Sequence, residues 1–165
     1  MADVDDVMKD IESDDVYYEE EAEQKQIEKG TYEAKIVALR RKLNFKTKYG
    51  HICDIYWPRY KIVSDSPKYP NRLVRDAGQW RYRSANARKR NIYYKKFLDK
   101  IGISLSKREV DGNIRYSLPS ISEDMIKGKK VLINVYKEEW SDSRGYHNEP
   151  VAKLIKVISD SDVVH

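Results

Sequence analysis

Between Arg40 and Lys100 two kinds of side chain occur together: 18 Lys/Arg against four acids (Asp54, Asp65, Asp76 and Asp99), and 11 of the chain's 18 aromatic residues. Cations neutralise phosphates, and flat rings stack on unpaired bases for roughly 1 to 3 kcal/mol each. The coincidence of the two points to single-stranded nucleic acid. The competing interpretation is that Tyr and Trp fill strands while Lys and Arg solubilise the surface. Catalysis has thinner support. Glu33-Ala34-Lys35 fits the E-x-K fragment of a metal-dependent nuclease, with Asp54 as a second acid from a neighbouring strand, but strands produce that triplet often. No phosphate-binding glycine loop or nucleophile elbow is present, so the expectation is a protein that is not an enzyme and uses no cofactor. Cys53 has His51 and His147 as conceivable co-ligands without metal-site spacing, and reads as a strand cysteine with no metal.

The elements that must carry these residues begin at Gly30. Thr31 to Lys42 alternates Tyr32, Ala34, Ile36 and Ala38 against Glu33, Lys35 and Arg41, the pattern of a half-buried strand. Leu43 to Gly50 reads as a basic loop, and His51 to Val63 as a second strand in which Pro58 implies an edge or a bulge. After a proline-containing loop at 64 to 71, Arg72 to Arg83 reads as a third extended element with a hairpin conceivable around Ala77 and Gly78. Ser84 and Gly102 bracket a helix whose Ala87, Tyr94, Phe97, Leu98 and Ile101 face inward and whose basic residues form a solvated surface. Ser104 to Ser122 is irregular around an Asp111-Gly112-Asn113 turn. Lys129 to Glu139 and Tyr146 to Ile158 then read as strands flanking a polar loop, Trp140 to Gly145.

Charge divides the chain further. Residues 1 to 29 hold 12 Asp/Glu and three Lys, and the remainder 29 Lys/Arg and 15 Asp/Glu, so the formal +5 combines about −9 and +14. An acidic block ahead of a basic body suggests a tail that competes for its own groove or recruits a replication or recombination protein. The expected organisation is an acidic tail at 1 to 28, one domain at 29 to 158 and a short tail at 159 to 165. No apolar run approaches the roughly 20 residues needed to cross a bilayer, the chain opens on Asp3, Asp5 and Asp6, and the single cysteine agrees with a reducing compartment. A cytoplasmic location, that of the host if the protein is viral, is expected.

Three strands, a helix and two strands is the order of an OB-fold, a five-stranded Greek-key barrel with its helix between the third and fourth strands, and this mainly β architecture is the expected fold. Gly30-Thr31-Tyr32-Glu33-Ala34-Lys35-Ile36, Ser84-Ala85-Asn86-Ala87-Arg88, Gly128-Lys129-Lys130-Val131 and Gly145-Tyr146-His147-Asn148, in that order, resemble phage-encoded single-stranded-DNA-binding proteins of this fold. The resemblance spans about residues 30 to 158. It implies a sequence-nonspecific protein that coats transient single strands in replication, recombination or repair. The acid block departs from it, being N-terminal where such proteins usually carry one at the C-terminus. An OB-fold binds across its second and third strands and the flanking loops. That places the candidate contacts at Phe45, Lys46, Lys48 and Tyr49 in the first loop, and at Tyr56, Trp57, Arg59, Tyr60 and Lys61 on the second strand. Arg75, Trp80, Arg81, Tyr82 and Arg83 follow on the third element, with Trp140 and Tyr146 at the last loop. RNA would use the same surface features, and a protein partner of the acidic arm is the alternative from a different class.

Overall fold

The structure, a computed structural model, describes residues 25–158; most of the acidic tail and the segment 159–165 lie outside the described residues. Among the described residues eight strands and two helices follow in order: β1 (Gly30–Lys46), β2 (Ile52–Ile62), β3 (Leu73–Arg75), β4 (Gln79–Tyr82), a 3-10 segment (Ala85–Asn91), α1 (Ile92–Ile101), β5 (Ser106–Val110), β6 (Asn113–Ser117), α2 (Glu123–Ile126), β7 (Lys130–Asp142) and β8 (Gly145–Val157).

The expected five-stranded barrel is overturned. Six strands form one sheet in the order β3-β2-β1-β7-β8, with β4 also paired to β2, and this sheet is not closed. Its ends meet through a single isolated parallel bridge, Asp76 with Ala152, where a barrel needs a continuous ladder. The result is a mixed fold of strands and helices. The physical reason lies in the third element. It is neither one strand nor a hairpin: β3 and β4 both run antiparallel to β2, and Asp76, Ala77 and Gly78 stand opposite only Trp57 and Pro58. That is a bulge, as the proline at 58 implied, and it leaves pieces of three and four residues that are too short to close the sheet.

A second irregularity acts on β1. Tyr32, Ala34 and Ile36 are buried as the alternation predicted, but the register shifts between Ile36 and Ala38, so Ala38 pairs with Arg59 and joins the other face. The strand then continues four residues past the expected end, along β2 alone, because β7 accompanies β1 only from Gly30 to Lys35. β7 and β8 likewise run on as a two-stranded ribbon to Asp142 and Gly145, so the expected polar loop Trp140 to Gly145 is strand except at its tip.

Helix α1 begins at Ile92, later than the sequence suggested. Ala85–Asn91 contains consecutive Arg88, Lys89 and Arg90 and only one buried residue, Ala87, too little apolar surface to hold an α-helical turn on the core. Asn91 instead clips the segment to β4: its Oδ1 accepts from the Tyr82 N–H (2.6 Å) and its Nδ2 donates to the Tyr82 carbonyl (2.9 Å). Gly102, at φ +84°, ends the helix with its N–H on the Asp99 carbonyl. Tyr94, Phe97, Leu98 and Ile101 pack beneath the sheet against Tyr56, Tyr60, Ile133 and Leu154. Ile27 joins this core from the acidic side of the expected tail boundary. Ser104 to Ser122, expected to be irregular, contains the β5–β6 hairpin, turning through Asp111 and Gly112 at positive φ; the short helix α2 follows directly after it, and its Glu123 accepts from the Leu39 N–H at 2.9 Å. No described helix is long and apolar enough to cross a membrane.

Asp76 holds the bulge. It is fully buried and accepts from the Tyr60 hydroxyl (2.7 Å), the Gly78 N–H (2.8 Å) and the Gln79 side chain (3.0 Å). Burial pushes its carboxyl above the ordinary 3.8, while these donors and Arg75 pull it down. A raised native value means that the folded chain holds the proton more tightly than the unfolded one. The stabilisation is therefore complete below the unfolded value and is lost as pH rises through the native one. Asp76→Asn is expected to flatten the fall in thermal midpoint as pH rises from about 4, relative to the native chain, as followed by circular dichroism melting.

Candidate functional site

Strand β2 separates two surfaces by the alternation of its side chains. Tyr56, Tyr60 and Ile62 point into the core, while Ile55, Trp57 and Arg59 point to the opposite, outer face. Residues directly opposite in an antiparallel pair share a face, so the register assembles the outer face from four strands. Ala38, Arg40, Lys42 and Phe45 come from β1, Arg75 from β3, and Trp80 and Tyr82 from β4. Trp80 and Tyr82 do fall side by side, as their spacing predicted, with ring centroids 6.2 Å apart and planes at 25°. Phe45 meets Trp80 edge-on at 5.9 Å, and together these rings cover the buried Cys53 and Ile55.

Divergence of β1 from β7 opens a cleft of about 550 Å³ on this face, lined by Arg40, Trp57, Arg59, Arg75, Ala77, Trp80 and Glu138 among others. Arg40 lies 5.9 Å over the Trp57 ring. Both indole nitrogens converge on Gly78, where a Cβ would stand 3.1 Å from Trp57 Nε1 and 3.4 Å from Trp80 Nε1. Gly78 also sits at φ +118°, so the bulge needs glycine for its backbone and the indoles need it for space. Across the cleft, Arg75 bonds Glu149 of the ribbon (2.6 and 2.9 Å) and lies 5.9 Å from the Trp140 ring, which stacks on His147 at 5.0 Å.

Not every residue proposed from the sequence reaches this face. Tyr56 and Tyr60 are fully buried: Tyr56 stacks on Tyr94 and Tyr60 donates to Asp76. Their hydroxyls are pushed up chiefly by burial and stay protonated at neutral pH. Arg81 points inward, bonding the buried Asp54 (2.8 Å) and the Leu118 carbonyl (2.9 Å). Arg83 bonds Asn44 and stands 3.9 Å from the same Asp54. Lys61 is exposed but lies opposite Lys35 and Leu73 at the far end of β2. Lys46, Lys48 and Tyr49 cluster at the β1–β2 turn, with Lys48 Nζ 5.1 Å from the Tyr49 ring, and Tyr146 is exposed near the ribbon tip. These outlying residues line neither large cleft.

Sequence reading passed over Arg40 and Lys42, which become partners of Trp57 and Ile55 only through the register shift in β1. It named Gly78 only for a hairpin turn, although a lone glycine inside a strand pattern also signals a bulge. Glu33 lies beside the Val63 end of β2 and Asp54 near its other end, about 30 Å along the strand, so the two acids do not share a site. Cys53 is fully buried and its thiol is pushed up by burial and by Asp54. Among the described residues no cluster of three or more His, Cys, Asp or Glu is placed to hold a metal. No family model matches the chain, and a search of curated proteins finds no relative.

Two substitutions separate support from surface. Arg81→Ala leaves the buried Asp54 carboxylate with the Asn44 N–H (3.0 Å) and only the distant Arg83 as counter-charge, and is expected to cost about 3 kcal/mol in urea unfolding, the low end for a broken buried pair. Gly78→Ala forces a strained φ and a tight contact on Trp57, and is expected to cost more than about 1 kcal/mol and to shift the native tryptophan emission.

Proposed function

We propose that the protein binds single-stranded nucleic acid, DNA first, across the outer face of the sheet, without catalysing a reaction and with little sequence preference. The observation that carries this reading is the convergence of Trp57 and Trp80 over Gly78, ringed by Arg40, Arg59 and Arg75. Paired indoles offer π-faces that every base can use, and three guanidiniums within one cleft supply phosphate contacts. A duplex keeps its bases stacked and denies them to the indoles. The reading rests on this face and needs no closed barrel. Coating of transient single strands in replication, recombination or repair, by a phage-encoded protein as the sequence motifs suggest, is the role such a surface would serve.

Fluorescence anisotropy with labelled oligothymidylate, matched duplex and matched RNA over a salt series tests it. Single-stranded DNA is expected to bind most tightly, to quench tryptophan emission and to weaken steeply with salt. Trp57→Ala and Trp80→Ala should each lower the affinity by about 5- to 100-fold, the cost of roughly one lost stack. Equal binding of RNA would extend the ligand class to both nucleic acids. Absence of binding at low salt would overturn the proposal and turn attention to a protein partner.

A further inference from the structure

A second cleft, of about 780 Å³, lies on the other side of Trp80, between β4, the 3-10 segment with α1, and β8. Five cations line it: Lys89 and Arg90 from the 3-10 segment, Lys96 and Lys100 from α1, and Lys153 from β8. No lining residue is acidic, and none of the five forms an ion pair with another described residue. Like charges gathered without counter-charges repel one another and raise the potential in the cleft, a cost that an anionic ligand removes. The walls suit a particular anion. Trp80 and Tyr82 form one side, Arg90 lies 5.9 Å over the Tyr82 ring, and Tyr93, 73% exposed, stands on the helix with Lys96 5.9 Å from its ring. Phe97 and Leu154, both buried, contribute apolar surface beneath.

We infer that this cleft is a second nucleic-acid subsite, holding the phosphodiester backbone of the strand after it has passed the Trp80 and Tyr82 rings. The inference rests on the proposed function and extends it, because Trp80 lines both clefts and a strand stacked there leads directly from one into the other. The basic face of α1 then serves the ligand as well as solvent. Free phosphate or a single nucleotide would find the same cations but could not span from them to the indoles.

The test compares binding of oligothymidylates of about 4 and about 16 nucleotides to the native chain and to the double variant Lys89→Ala/Lys96→Ala. Both lysines are exposed and neither makes a hydrogen bond to another described residue, so thermal melting should be unchanged. The double variant is expected to bind the long strand about tenfold more weakly at low salt, with a salt slope reduced by about 1.4, and to bind the short strand as the native chain does. Lys153→Ala, from the opposite wall, should move the long-strand affinity in the same direction. Long-strand affinity that is unchanged in these variants would overturn the second subsite while leaving the first intact. A rise in affinity would overturn it too, pointing instead to the acidic residues 1–24 as the occupant. Failure of the native chain to bind either strand would reject the proposed function itself, and this subsite with it.

Discussion

Everything on the outer face depends on one buried carboxylate. Asp76 is out of water and out of the regular ladder, and it survives there because three donors converge on it from Tyr60, Gly78 and Gln79. Those donors come from the core strand, from Gly78 just before β4 and from Gln79, the first residue of β4. The same group therefore fixes the width of the bulge, the approach of β4 to β2 and the position of Trp80. Its backbone N–H bonds the Pro58 carbonyl (2.8 Å), and the next N–H, of Ala77, reaches the Ala152 carbonyl (3.0 Å). A side chain whose burial is unfavourable in isolation thus becomes the point where β2, β4 and β8 are held together.

A division of labour follows from the pleat. On the inner side of β2 and β4, Tyr56, Tyr60 and the Asp54–Arg81 pair are closed off by α1 and by the segment around Leu118. On the outer side, the same two strands present rings and guanidiniums with little above them. Neighbouring residues consequently have opposite fates: Arg81 is structural while Trp80 and Tyr82 form the surface. An Arg and an aromatic residue adjacent in sequence are not equivalent candidates for one ligand.

Regular segments were legible in the sequence, and irregular ones were not. Period-two alternation located β1, β2, β7 and β8, and helical spacing identified the residues of α1 that are buried. Spacing also placed Trp80 beside Tyr82, since two residues apart on a strand means one face. Closure of the sheet was misjudged because element order does not reveal whether a strand is long enough to bridge two edges; that depended on the extra residue between Asp76 and Gly78. Assigning Tyr56 and Tyr60 to the site failed for a related reason. Their strand is covered on the inner side, and parity along β2 alone does not say which side the helix will take. Hairpin β5–β6 carried a visible Asp-Gly turn, but its strands are exposed on both faces and lack the alternation that identifies a half-buried strand.

The β7–β8 ribbon leaves β1 after Val135 and is supported beyond that point by few contacts with the sheet, chief among them the Arg75–Glu149 pair. Both side chains are partly open to solvent, so dissolved ions weaken their attraction. Rising ionic strength therefore weakens the one ion pair among the described residues that ties the ribbon to β3.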